Sequence, residues 1–558
     1  MPTARIARVL LTAACLLLAV PALASAATYT VNSVGDQPDE NVGAEGCKTS
    51  VANCTLRAAI EESNASTSVD DLIIFSPLFN GESLGTINLT GALPKITNSV
   101  VIEGKSCATE AGTAGPCVGV KIPGNAVALS VEAPDVTIEG LSVSPVTTAL
   151  STGLSVTSGS PRFRAIGSWF GKPLSGALNY LGTGADVNSA GIVAAADRAQ
   201  FTDVYIEGAF FGLYLEGPGA LIADSKITGG AVGVQTSGAN GGFGSRIENS
   251  SIRGNTFDGV VFANGDNAIV GSEINNETGT GIRVEGAVSG NVIGGESASE
   301  ENFIASAGTD AIRIKTDEAS QNEVGRNRGA VTGSFLKLEL SGPGTVGPNG
   351  GIQPPPIAAA FESSARGTGA APGARVRVFS TTSESGRQIT AFLGSASADS
   401  SGNWRAILST KVAAGTKVTA TQTNTLGGTS ELAAVATAAA DPACPSADAV
   451  GCTPPPPVCP EAGATGCETP PPPDTTKPKA TIKKAPKAKS KSTTAKFVFS
   501  ANEKSTFKCK LDKKAFANCR SPKTYKKLKP GKHVFKLKAI DAAGNVSKVL
   551  TRKFTVLG

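Results

Sequence analysis

The sequence predicts an all-β protein: a long parallel β-helix followed by two small β-sandwiches. Three observations carry this expectation. Of 558 residues, 5% are aromatic and 17% charged, with Gly at 65 positions and Pro at 33, a balance that favours short strands and turns over helix bundles. Short apolar strands then recur at a nearly constant interval between about residues 70 and 335. Beyond residue 351 the pattern changes to longer strands of strict alternation separated by turn residues.

The repeat is degenerate but regular. One register runs Gly191–Val193, Gly212–Leu215, Gly233–Gln235, Gly259–Phe262, Gly281–Val284 and Ala311–Ile314, at steps of 21, 21, 26, 22 and 30 residues. A second register follows it through Phe201–Ile206, Leu221–Ile227, Ile247–Ile252 and Ile269–Ile274. Units this small cannot bury an apolar face alone, so stacking must supply a shared core. In Ile282–Val284 and Ile312–Ile314 alternation sends the aliphatic residues inward and Arg283 and Arg313 outward. The glycine that opens each strand is expected to allow a tight corner. Leucine-rich repeats lack support, because the Leu-x-x-Leu-x-Leu spacing is missing.

A stack of strands needs its ends covered. Leu56, Ala59 and Ile60 form one apolar helical stripe, with Thr55 as N-cap and Glu61 and Glu62 expected to face solvent. A short capping helix is the reading, and an Arg57–Glu61 active pair is the lesser one. The segment from Thr28 through Cys47 to Cys54–Ile60, which reads Cys-Thr-Leu-Arg-Ala-Ala-Ile, resembles the N-terminal "CSLREA" segment of exported bacterial proteins. Asn291–Gly295 and Glu301–Ile304 resemble turns of the repeats that follow that segment. Over residues 28–335 the resemblance implies a right-handed, pectin-lyase-like parallel β-helix and export, with no settled reaction.

The remaining organisation follows from composition. Residues 1–26 read as a secretory signal, with Arg5 and Arg8 before the apolar run Val9–Val20 and small residues at Ala24–Ala26. No membrane span is expected once it is removed. Residues 27–350 hold the cap and β-helix. Residues 351–440, with the Asp399–Trp404 turn and Trp404 as core residue, resemble a bacterial immunoglobulin-like sandwich. Residues 441–475 are a Pro- and Cys-rich linker. Residues 476–558 resemble a sandwich repeat of exported actinobacterial proteins, with Lys where those relatives carry neutral or acidic residues. In an exported chain the pairs Cys47/Cys54, Cys107/Cys117, Cys444/Cys452, Cys459/Cys467 and Cys509/Cys519 read as short-loop disulfides. Zinc knuckles would need Cys-x-x-Cys, which none of them supplies.

Charge is divided unevenly. Residues 476–558 carry 24 Lys and Arg against three acids, a net +21, so the rest of a chain of net +5 sums to −16. Alternation places Lys508, Lys510, Lys536 and Lys538 outward, as a basic face for polyanion contact or simply as a solvated surface. On the β-helix, Tyr214, Gln235, Arg283 and Arg313 form the candidate ligand face.

A single histidine, His533, leaves no room for His triads or multi-His metal sites. Hydrolases of pectin-lyase shape share clustered aspartates, a Gly-His-Gly and an Arg-x-Lys; here only Asp70–Asp71 and Arg313–Lys315 come near. The resulting expectation is a secreted or cell-surface protein, more a binder than an enzyme, with no metal or cofactor. Its partners would be cell-wall or extracellular polysaccharide or another polyanion, with nucleic acid disfavoured as a specific ligand. The alternative is an acidic-polysaccharide lyase in which calcium bridges substrate carboxylates and Arg283 or Arg313 takes a proton.

Overall fold

Three-residue triplets with one central aliphatic residue cannot make hairpins of useful length, but they can each bury that residue against the next coil. The computed structural model describes residues 26–44, 46–67, 70–79, 85–104, 106–108, 114–123, 126–145, 152–174, 189–237, 243–276, 278–286, 288–306, 308–315, 321–339, 348–385, 387–442, 477–503, 505–512, 516–541 and 545–557. The expected signal segment and proline-rich linker lie outside the described residues, apart from their margins, as do residues 542–544. The two disulfides expected in that linker, Cys444 with Cys452 and Cys459 with Cys467, therefore fall on residues outside those described.

One coil shows the plan. Gln200–Thr202 lies on a first face, Tyr205–Glu207 on a second and Phe211–Leu215 on a third, before Leu221–Ala223 returns to the first. Strands of each face pair in parallel with their counterparts one coil on, as in Phe201 with Ile222, Ile206 with Ile227 and Leu213 with Val234. The faces become sheets of eleven, eleven and nine strands, a β-helix-like solenoid. Its interior is a set of aliphatic columns. Ile206, Ile227, Ile252, Ile274 and Ile304 line the second face and Ile192, Leu213, Val234, Val260, Ile282 and Ile312 the third, all with no exposure. Each contributes about 1.5–3 kcal/mol of burial.

The repeated glycines hold a different post from the expected one. Gly191, Gly212, Gly233, Gly259 and Gly281 sit within the third-face strands, and a Cβ there would come within 2.4–2.6 Å of the Cγ2 of the second-face isoleucine. They are small because the two faces meet closely. The tight corner lies between the first and second faces, where the chain takes a left-handed turn at Gly140, Gly167, Asp203, Asp224, Asn249, Gly271 and Gly294. Gly, Asp and Asn tolerate that conformation best. The second sequence register is therefore two strands with a bend, not one.

Buried polar residues stack just as the apolar ones do. After the left-handed corner, the Ser225 amide donates to Ser250 Oγ, Ser250 to Ser272 Oγ, and Ser272 to Asn302 Oδ1. Before the first face, the amides of Ser245, Asn267, Asn291 and Asn322 donate in turn to the side chains of Asn267, Asn291, Asn322 and Asn349. These ladders satisfy corner amides that burial would otherwise leave unpaired.

Both ends are covered. At the start, the helix Leu56–Ala65 is capped by Thr55, whose Oγ1 accepts from the Ala58 amide, and it buries Leu56, Ala59 and Ile60 in the solenoid core. Glu62, expected in solvent, is 4% exposed and accepts from the Gly43 amide, while Glu61 accepts from that of Asp39. Arg57 pairs with Asp36 at 2.9 Å rather than with Glu61. Burial raises the Asp36 carboxyl, but the Arg57 guanidinium and Thr90 outweigh it and hold the group below its ordinary range. The Cys47–Cys54 disulfide ties the same loop down. Cys117 is also disulfide-bonded, and the side chain of Cys107 lies outside the described residues.

At the other end sits the module expected as a separate sandwich. Its two antiparallel sheets enclose Val376, Val378, Trp404, Leu408 and Ala420. Trp404 is buried at 3% exposure, and Asp399 accepts the turn amides of Ser401 and Asn403. The outer side of its larger sheet closes the solenoid. Phe379 and Ile389 join the solenoid core, Gln388–Ile389 extends the second face antiparallel to Gly329–Ala330, and Thr429 Oγ1 accepts from the Val324 amide. Glu431 accepts from Leu338 on the third face. Arg377, outward by alternation, is thereby fully buried, with ion pairs to Glu296 and Glu323. The described residues up to 442 form one compact unit. Among the described residues no helix is long and apolar enough to cross a membrane.

The second unit holds a three-stranded and a five-stranded sheet. Phe497 stacks on Phe535 at 3.9 Å between ring centres, with Phe499, Leu537 and Phe554 around them and the Cys509–Cys519 disulfide at the side.

Two substitutions test this arrangement. Gly233→Ala should cost about 1–3 kcal/mol, because its Cβ meets Ile252, Asn255 and the next coil; a denaturant midpoint close to wild type would contradict the close-approach account. Arg377→Ala should cost about 2–3 kcal/mol by removing a fully buried guanidinium and its charge-assisted bonds to Glu296 and Glu323. It should also make residues 351–442 the first protease-sensitive segment of the unit.

Candidate functional site

Outward positions of the solenoid are fixed by the same registers that fix its core, so side chains fall into files with steps of about 4.8 Å. On the third face the expected ligand residues do share one file: Tyr214 pairs with Gln235, Gln235 with Val261, Val261 with Arg283, and Arg283 with Arg313. Val261 interrupts it, closed off from solvent.

The two arginines are engaged rather than free. Arg283 Nη2 lies 2.9 Å from Asp258, and the guanidinium also meets Glu285. Arg313 Nη2 lies 2.8 Å from Asp310, with Glu339 at 3.7 Å. Asp258 and Asp310 are themselves corner acceptors, taking the amides of Thr280 and Ser334. A guanidinium whose N–H groups are already given to carboxylates is poorly placed to abstract a proton. The adjacent acids Asp70 and Asp71 serve structure: Asp70 accepts from Ser99 Oγ, and Asp71 is buried and accepts from the Ala27 amide.

Beside Tyr214 the structure adds aromatic residues that alternation alone did not single out. Phe211 lies 5.0 Å from the Tyr214 ring and 4.8 Å from Phe210, and Phe210 lies 6.3 Å from Phe257, which is exposed.

The second face carries a file that sequence reasoning missed altogether. Trp169, Tyr205, Lys226, Ser251, Glu273, Phe303 and Arg328 stand in register on successive coils. The Lys172 ammonium sits 4.4 Å from the centres of both the Trp169 and Tyr205 rings, and Lys226 lies 5.0 Å from Tyr205. Ser142 Oγ donates to the Lys172 carbonyl at 2.6 Å and fixes the turn that brings this lysine back over the sheet. Burial pushes the Tyr205 phenol well above its ordinary value, helped by the nearby Glu207 carboxylate. Glu207 is 4% exposed, and its Oε2 has no hydrogen-bond partner. Further along, Arg253 pairs with Glu273, while Arg328 pairs with Glu301 and lies over Phe303. The available signal was the triplet after each left-handed corner, as in Tyr205–Glu207 and Lys226–Thr228, whose flanking positions must point outward.

In the second unit all four expected lysines come together. Lys508 faces Lys538 and Lys510 faces Lys536 directly across paired strands. Lys510 and Lys538 lie 5.5 and 5.0 Å from the Phe516 ring. Among the described residues of this unit the only ion pair is His533 with Asp512 at 2.8 Å. Like charges set directly opposite one another repel, so this face is kept at a cost that an anion would relieve.

Neither a family model nor a curated protein matches this chain. Among solved structures it is similar to ORF18 of Geobacillus virus E2, at 12% identity over 72% of this chain and 78% of that one, with a TM-score of 0.33. It is also similar to the full-length tailspike protein 2 of Escherichia coli O157:H7 bacteriophage CAB120, at 10% identity over 89% and 65%, TM-score 0.23. A third similarity is to the BSP domain of a biofilm associated protein, at 12% identity over 37% and 29%, TM-score 0.13. Likenesses at this level carry no functional information.

The His533–Asp512 pair gives the second unit a defined pH response. The hydrogen bond that His533 donates to Asp512 raises the imidazole above its ordinary value, with the Lys529 carbonyl adding to it. Burial raises Asp512, but His533 and the Val534 amide lower it further, to a net depression. The raised histidine contributes stability that is complete below about pH 6.5 and is lost as pH rises through its folded value. The depressed aspartate contributes above about pH 3.9 and is lost as pH falls through its folded value. Thermal melts should therefore show this unit most stable between roughly pH 4 and 6.5, and His533→Gln should flatten the alkaline side of that profile.

Proposed function

We propose that the protein is an exported, surface-associated binding protein without catalytic activity. On this reading residues 27–350 form a right-handed parallel β-helix that displays ligand-facing files, and residues 476–558 an immunoglobulin-like module that attaches the protein to an acidic polymer of the cell wall or extracellular matrix. Export is supported by the N-terminal signal pattern and by disulfides in both units. The observation that carries the binding assignment is the lysine face. Four lysines in two directly opposed cross-strand pairs, on a unit of net +21, have no acidic partner among the described residues. A linear polyanion supplies the missing counter-charge and gains entropy from released counterions.

The lyase alternative draws no comparable support. Its candidate bases Arg283 and Arg313 are each occupied by a carboxylate, and no group of three or more potential metal-ligating residues occurs among the described residues.

Retention of the full-length protein on a heparin matrix tests the assignment. Wild type should elute at a salt concentration well above physiological. The quadruple variant Lys508→Gln, Lys510→Gln, Lys536→Gln, Lys538→Gln should bind at least about tenfold more weakly at physiological salt, with a shallower salt dependence. Equal elution of the two proteins, or retention indifferent to salt, would refute the lysine-face account.

A further inference from the structure

The second face of the solenoid holds a group of side chains that neither stability nor the attachment role explains. Trp169 and Tyr205 stand on adjacent coils with ring centres 6.2 Å apart and planes inclined at 56°. Lys172 and Lys226 both place their ammonium groups against these rings, and neither makes an ion pair with an acid among the described residues. Against the same pair lies Glu207, buried, with its Oε2 left without a hydrogen-bond partner. Stability alone does not account for Glu207, because a buried polar atom left unpaired costs about 1–3 kcal/mol.

We propose that this patch is a binding subsite for a sugar unit bearing a tetrahedral oxyanion, a phosphate or sulfate ester on a polysaccharide. Each part of the patch answers to one part of such a ligand. The Trp169 and Tyr205 rings offer apolar faces for the C–H face of a pyranose. Glu207 Oε2, buried without a partner, is an acceptor that a ring hydroxyl satisfies once the side chain turns toward the ligand. The two ammonium groups meet the anion. Their chemistry selects among anions: lysine is a compact point charge that suits a three-oxygen tetrahedral group, whereas the planar carboxylate of a uronate is matched by the arginine fork. Arginine is present on both faces of the solenoid, but Arg253, Arg283, Arg313 and Arg328 are all paired with carboxylates. The cations left unpaired at the rings are lysines.

The site extends the binding function proposed above without sharing its residues, so the two fail separately. Trp169 and Trp404 are the only tryptophans, and Trp404 is buried in the module that closes the solenoid. In a Trp404→Phe background, emission from the full-length protein reports on Trp169 alone. Phosphorylated dextran, dextran sulfate, unmodified dextran and polygalacturonate are titrated at physiological salt. Phosphorylated or sulfated dextran should change Trp169 emission at a concentration at least tenfold below that needed for dextran or polygalacturonate, and comparison of the first two identifies the ester.

Lys172→Gln with Lys226→Gln should remove that preference, while the four Lys→Gln changes at 508, 510, 536 and 538 should leave it intact. Glu207→Gln should weaken the response to both charged dextrans. Polygalacturonate matching the charged dextrans, a response unaffected by the Lys172/Lys226 changes, or no change of emission with any polymer would each overturn the proposal, whatever the heparin matrix shows.

Discussion

A parallel stack of strands has an interior that is never finished from within. Every coil buries one surface on the coil before it and leaves the other exposed, so the first and last coils depend on something that is not a coil. Here the first is covered by a ten-residue helix that inserts Leu56 and Ile60. The last is covered by a whole antiparallel module that inserts Phe379 and Ile389 and satisfies an amide on each of two faces. The columns of isoleucine between them, and hence every outward file, rest on these two closures.

Given closed ends, register does the rest. Glycines at 191, 212, 233, 259 and 281 allow the second and third faces to approach, and the serine and asparagine ladders hold successive corners at one height. Chemistry on the outside then repeats at coil spacing whether or not selection has used it. On the third face that spacing is filled with arginine–carboxylate pairs that bind one another. On the second it brings together two rings, two ammonium groups and a carboxylate with spare capacity. The first pattern is closed and the second is open, which is why the binding argument falls on the face with Trp169 rather than the one with Arg313.

Much of this architecture was legible in the residues. Strict alternation at Ile282–Val284 and Ile312–Ile314 placed Arg283 and Arg313 correctly, and the apolar stripe of Leu56, Ala59 and Ile60 marked the helix. Strands of seven residues such as Arg375–Thr381 and Ser505–Leu511 gave a period long enough to read, so Lys508 and Lys510 were placed on the right face. Three-residue strands gave none, and Tyr205 and Lys226 stayed hidden inside what read as one longer strand until the left-handed bend at Asp203 or Asp224 separated its halves. Arg377 shows the limit of alternation. The pattern says which side of a sheet a residue takes, but not whether that side meets water or another part of the chain, and here the partner lies more than fifty residues away in sequence.

The closing strand at Gln388–Ile389 has an implication for biogenesis. Synthesis runs from the first coil toward the last, so most of the solenoid emerges before the segment that seals it exists. Throughout that interval the newest coil offers an unpaired edge to any neighbouring nascent chain. Safe maturation therefore requires that the growing stack be shielded, or kept unwound, until about residue 431 has followed.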